Sequence, residues 1–178
     1  MAYDLKDVFY LTTSVSTGTS GNIQAATLDL SSYIDPIARK GSKAQGLAIY
    51  RVQMSFRQGA SVVDKAEDGS TKIAMLAGAG LVAGTVTLSD NSGVGNTNDL
   101  LIAGYDYYGP ATADSTLNGF YCTPTEKVPY VCVRDNLNII TSTDDAFTAA
   151  IDVDVRLECA VVTLDQATLN QLLRTQTV

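Results

Sequence analysis

The chain contains no histidine and no tryptophan. Histidine is the one side chain whose unperturbed pKa lets it exchange protons near neutrality. Its absence removes Ser-His-Asp and Cys-His catalysis, imidazole-based zinc sites and most general-base roles. Three cysteines, Cys122, Cys132 and Cys159, leave at least one thiol unpaired and have no second soft ligand nearby to build a zinc site. Cys132 and Cys159 fall in apolar, strand-like runs, where a free thiol behaves as a small buried hydrophobe. At the level of sequence a Cys122–Cys132 or a Cys132–Cys159 bridge stays open. The Walker phosphate loop and the dinucleotide glycine fingerprint are both missing. Nothing here calls for a catalytic residue, a cofactor or a bound metal, and the chain is read as a non-enzyme.

Charge is also sparse. Charged residues make up 17% of the chain, with 12 basic against 19 acidic and a net charge of −7. The longest basic cluster is Arg39-Lys40-x-x-Lys43. Phosphate binding needs a concentrated positive footprint, and here the field of the whole molecule repels phosphate. Direct nucleic-acid binding is therefore not expected. The longest uncharged, apolar-rich stretch, from Ile73 to Leu88, is interrupted by Gly78, Gly80 and Gly84 and falls short of a spanning helix. Residues Met1 to Asp7 lack a basic region followed by an apolar one, so no signal peptide is expected.

What is present is alternation. Hydrophobic residues form 46% of the 178 residues, enough for a single core and one domain over 1–178. From Leu47 to Phe56 one face is expected to carry Ala48, Tyr50, Val52, Met54 and Phe56, while the opposite face begins with Leu47 and Ile49 and then becomes Arg51, Gln53 and Ser55. From Ile151 to Thr163, Ile151, Val153, Val155, Leu157, Cys159 and Val161 oppose Asp152, Asp154, Arg156 and Glu158. A helix would mix those charges into the apolar stripe, so this segment is a long strand. Further strands are expected at Val8 to Ser16, Ile23 to Leu30, Lys72 to Leu76, Leu81 to Leu88, Leu100 to Tyr108, Val128 to Val133 and Leu137 to Thr141. Turn formers separate them. The fold class is all-β, a two-sheet antiparallel sandwich or closed barrel. Ser32 to Gly41 reads as a turn or short helix. A firmer helix spans 164–175, with Asp165 as its cap and Leu169, Leu172 and Leu173 as its apolar stripe. It packs either on its own sandwich or on a neighbour.

Between Gly104 and Pro129 lies a tyrosine-rich excursion read as a functional loop. It holds Tyr105, Tyr107, Tyr108, Phe120 and Tyr121; tyrosine offers an apolar ring with a polar tip, the type of side chain enriched at interfaces. These five residues and the three helix leucines are the candidate interface. Asp144-Asp145 and the Asp152/Asp154 pair have the residue types of a glycosidase, but the latter sits on a strand's polar face. Asp64, Glu67 and Asp68, and the Asp90–Asp99 cluster, hold oxygens of the kind calcium uses, without EF-hand spacing.

The alternating strands, the Gly/Asn/Thr-rich loops, the tyrosine excursion and a long final strand ending in a short helix resemble a single jelly-roll viral capsid protein. That resemblance implies eight strands in two four-stranded sheets, self-assembly into an icosahedral shell within the virion, and no catalytic residues. Its partners would be copies of itself and other virion proteins. Small capsid proteins of this type that wrap their genome carry a basic N-terminal arm. This chain opens acidic and apolar, so its inner surface would meet an internal membrane or another protein rather than the genome. Rival readings are a phage tail, fibre or decoration protein, and a carbohydrate-binding sandwich that stacks sugars on Tyr105, Tyr107 and Tyr108.

Overall fold

Period-two patterning becomes strand along most of the described chain. The computed structural model describes residues 7–17, 23–35, 43–59, 69–77, 100–109, 117–143 and 150–176. Among them are nine strands and one helix: β1 (Val8–Ser16), β2 (Ile23–Asp29), β3 (Ala44–Arg57), β4 (Gly69–Ala77), β5 (Leu101–Gly109), β6 (Leu117–Cys122), β7 (Tyr130–Cys132), β8 (Asn136–Thr143), β9 (Asp152–Leu164) and α1 (Gln166–Thr175). One sheet has the order β1-β9-β3-β7 and the other β2-β8-β4-β5-β6, with antiparallel pairing throughout. The strand expected at Leu81 to Leu88 lies outside the described residues. So do the carboxylates Asp144 and Asp145 and both calcium-type clusters.

Both sheets turn one face into a common core. Leu47, Ile49, Val52, Val153, Val155 and Leu157 come from the first sheet, and Ile73, Met75, Leu137 and Ile139 from the second. Fully burying a side chain of this size is worth roughly 1.5–3 kcal/mol, so this layer dominates the stability. One end is fastened by a buried threonine. The Thr17 N–H donates to the Ile151 carbonyl at 2.8 Å, and the Ile151 N–H donates to Thr17 Oγ1 at 3.1 Å.

The expected facing of β3 is half wrong. Ala48 and Tyr50 do not join the main core, whereas Leu47, Ile49, Val52, Met54 and Phe56 do. The register against β9 slips between Ile49 and Arg51. That bulge inserts one extra residue, so inward positions are odd before it and even after it. Its trace in the sequence is the change of apolar parity from Leu47 and Ile49 to Val52, Met54 and Phe56. Val161 also departs from expectation, being partly exposed rather than in the core.

The tyrosine excursion is not one long loop. Its first part is β5 and its middle is β6, paired antiparallel as a hairpin. Strand β5 matches the strand expected at Leu100 to Tyr108, where alternating aromatics suit a pleated strand, whereas β6 was not among the expected strands. For Ser32 to Gly41, the described part is a turn on Leu30, whose carbonyl accepts from the Tyr33 and Ile34 N–H groups, followed by a bridge between Asp35 and Gln45.

Helix α1 lies on its own sheet. Asp165 is its N-cap, with extended backbone, and Asp165 Oδ1 accepts the Thr168 N–H at 2.7 Å. That bond holds the Asp165 carboxyl below the usual carboxylate range. Leu169 is buried with Ala44, Val133 and Leu164, and Leu172, Leu173 and Val162 pack against this second cluster. The outward residues of β9 switch from charged up to Glu158 to apolar from Ala160 onward, where α1 covers them. Small residues on β3 make room. A Cβ on Gly46 would meet the Cys132 carbonyl oxygen at 3.1 Å and Leu164 Cδ1 at 3.0 Å. Backbone cannot yield cheaply, so Gly46→Ala is expected to destabilise the chain by about 1–3 kcal/mol, measured by urea unfolding.

The far end of α1 closes a sheet edge. Strand β7 is the last in its sheet, and an open edge invites another strand. Gln176 occupies that position with its side chain. Its Oε1 accepts the Val133 N–H at 3.1 Å, and its Nε2 donates to the Val131 carbonyl at 2.7 Å. The Arg134 Nε donates to the Gln176 backbone carbonyl at 2.6 Å. One amide thus supplies the donor and the acceptor that a further strand would offer.

Candidate functional site

The residues singled out from the sequence separate into two places. Tyr105 and Tyr107 lie on β5 and share an aromatic cluster with Phe56 of β3 and Phe120 of β6. Tyr105 stands 5.0 Å from Phe56 and edge-on to Phe120 at 4.8 Å, and Tyr107 is 5.8 Å from Phe56. Such pairs are worth about 0.5–1.5 kcal/mol each beyond their buried area. Tyr107 is only 6% exposed, and burial pushes the Tyr105 phenol above its ordinary range. Tyr107 therefore presents no free face to a sugar ring, which removes it from the stacking platform of the rival carbohydrate-binding reading. The side chains of Tyr108 and Tyr121 lie outside the described part of the structure. Leu169, Leu172 and Leu173 sit on α1 against the first sheet, apart from the aromatic cluster on the second.

Of that cluster Phe120 is the exposed member, at 40%. It borders an open groove with Tyr50 and Arg51 on one side and the turn from Thr123 to Lys127 on the other. Arg51 and Glu126 bridge the groove at 3.1 Å, both well exposed. A solvated pair of this kind contributes about 0–1 kcal/mol.

A second surface was only half legible. The register of β1, β9 and β3 aligns their outward residues in four rows: Tyr10–Glu158–Arg51, Thr12–Arg156–Gln53, Ser14–Asp154–Ser55 and Ser16–Asp152–Arg57. The alternation of each strand sets Asp152, Asp154, Arg156 and Glu158 on the polar face of β9, and Tyr10, Thr12 and Ser14 opposite Phe9, Leu11, Thr13 and Val15 on β1; only the pairing of the two strands joins these residues into rows. The Arg156 guanidinium carbon lies 3.8 Å from the centre of the Tyr10 ring, a cation–π contact between diagonal neighbours. Arg57 holds both carboxylates of the pair weighed as a glycosidase: its Nη1 donates to Asp152 and its Nε to Asp154, each at 2.8 Å. Nη1 also donates to the Gly59 carbonyl at 2.8 Å. Both carboxylates are engaged by one guanidinium rather than turned together onto an open site, a poor arrangement for flanking a glycosidic bond.

The three cysteines are free. Cys132 on β7 and Cys159 on β9 flank β3 on opposite sides, about two strand spacings or roughly 10 Å apart. That exceeds the reach of a disulfide. Cys122 donates weakly to the Ile102 carbonyl at 3.9 Å. Burial is the main cause that pushes the Cys132 thiol up to about 11 and the Cys159 thiol up to about 12. Thiols of the unfolded chain ionise near about pH 8.5. A raised pKa in the fold means that this stability is complete below that value and falls as pH rises towards 11–12. Urea midpoints measured from pH 8 upward are expected to drop over this window. The drop should shrink in the Cys132→Ala/Cys159→Ala chain, and an equal drop would assign the alkaline loss to other groups.

Among the described residues there is no group of three or more metal-ligating side chains, and no helix long and apolar enough to cross a membrane. No protein-family model matches the chain, and a search of curated proteins finds no match.

Proposed function

We propose that this chain is a structural protein of jelly-roll type that assembles with copies of itself into a viral capsid shell. The observation that carries the proposal is the pairing pattern. A jelly roll is a long antiparallel hairpin rolled up, so its eight strands pair first with last, second with seventh, third with sixth and fourth with fifth. With β6 set aside as an addition to one edge, the pairings β1–β9, β2–β8, β3–β7 and β4–β5 follow that scheme. The fold alone does not specify function. A structural rather than catalytic role is favoured by chemistry: no histidine in the sequence, and a carboxylate pair engaged by Arg57. The acidic balance favours protein over genome as the partner.

The test is direct imaging. Purified chain, concentrated across a range of salt and pH, is expected to form closed shells or symmetric rings under negative stain. Filaments would point instead to a tail or fibre component. A chain that remains monomeric in every condition would overturn the proposal.

A further inference from the structure

The outer face of the first sheet is a patch where the charges of an acidic protein cancel. Asp152, Asp154 and Glu158 stand there with Arg51, Arg57 and Arg156, three of each sign, in register across β9 and β3, and at the margin Arg51 meets Glu126, whose charge its neighbour Lys127 balances. The whole chain carries 12 basic against 19 acidic residues and a net charge of −7. Two copies therefore repel over most orientations, and approach costs least where the local sum is zero. Strand β1 extends the patch with Tyr10, Thr12 and Ser14, all uncharged and exposed. Helix α1 bounds it at the other end.

The patch carries both a protruding side chain and a depression. Tyr10 is 52% exposed and stands above the sheet. One diagonal step away lies a groove lined by Thr12, Gln53, Ser55, Asp154 and Arg156. A knob and a hole on the same face are what a two-fold contact requires, because each copy then supplies both. We propose that a second copy of this chain docks here, the Tyr10 ring of each entering the groove of the other. The inference rests on the self-assembly reading above and names the contact that reading needs.

The side chains are already arranged for it. Tyr10 is stacked by Arg156, and Arg57 is fixed by three hydrogen bonds to Asp152, Asp154 and Gly59. Groups held before docking lose less freedom on docking. Charges that arrive paired also need no new partner when water leaves. An exposed tyrosine entering a desolvated pocket is the usual form of an interface anchor.

The experiment compares wild type with Tyr10→Ala, Ser55→Gln and Phe120→Ala by sedimentation velocity and negative-stain imaging. Tyr10→Ala removes the knob, and Ser55→Gln fills the groove without changing net charge. Both sites are exposed, so the urea midpoint should hold for Ser55→Gln and fall only slightly for Tyr10→Ala, which loses its contact with Arg156. Each variant is expected to weaken self-association by about tenfold or more, and Phe120→Ala to leave it unchanged. If wild type assembles and both sheet-face variants assemble equally well, the docking inference fails while the assembly reading stands. Loss of assembly in Phe120→Ala alone would likewise overturn it and move the contact to the aromatic cluster. A wild type that never associates overturns both.

Discussion

Leu169→Ala is expected to lower the stability of the chain by about 2–5 kcal/mol. Leu169 is 1% exposed and fills the space between α1 and the outer face of its sheet, against Ala44, Val133 and Leu164. Truncation removes the transfer energy of the side chain and leaves a cavity that Gly46 and Ala44 are too small to fill. The loss should appear as a lower urea midpoint at unchanged slope. In heat it should appear as a fall on the order of 10 °C, since about 2–4 °C accompanies each kcal/mol in a chain of this size. A change below about 1 kcal/mol would mean that α1 is not part of the cooperative unit. The outcome bears on assembly as well. A helix that is needed for its own subunit's stability is not free to serve first as a contact with a neighbour.

Gln176→Ala is the second large effect, at about 2–4 kcal/mol. Two hydrogen bonds disappear, and the Val133 N–H is left without its partner in a buried position. An unmade buried bond costs about 1–3 kcal/mol, more than a made one contributes. The same change uncovers the edge of β7, so the variant is also expected to aggregate at concentrations where wild type does not. Light scattering during refolding would show this, and a variant as well behaved as wild type would contradict the edge-covering role. Leu169 and Gln176 act through one helix, so the double variant should lose less than the sum of the singles.

Along single strands the sequence was a good guide. The bounds of β1 were legible because aromatic and β-branched residues alternate from Val8 to Ser16 between Asp7 and a glycine-rich turn. Strand β9 was legible because four charged residues interleave with core residues, a pattern no helix tolerates. The cap of α1 was legible because Asp165 precedes a leucine stripe. Elsewhere the signal was present and passed over. The outward residues of β9 turn from Glu158 to Ala160, Val162 and Leu164, which marks the place where a helix must cover the sheet. With that switch in view, the three leucines of α1 have their partner within the chain.

The candidate interface fared differently because it depends on what lies above each residue. Tyr105 and Tyr107 alternate like any strand pair, and only the approach of β3 decides that Tyr107 is enclosed and Phe120 is not. Cys132 and Cys159 are both apolar-run cysteines, and only the position of β3 between their strands keeps them apart.

By itself, then, the sequence determined an acidic, histidine-free chain of alternating strands with a capped terminal helix, because these follow from residue type and local periodicity. The tertiary structure alone decided the facing of β3, the rows that join Tyr10 to Arg156, and the closure of the β7 edge by Gln176. Each of these depends on the register between segments far apart in the chain. A one-residue bulge reverses every side chain beyond it; the apolar parity of β3 does change from Leu47 and Ile49 to Val52, Met54 and Phe56, but only the pairing with β9 shows that an inserted residue between Ile49 and Arg51 is the cause.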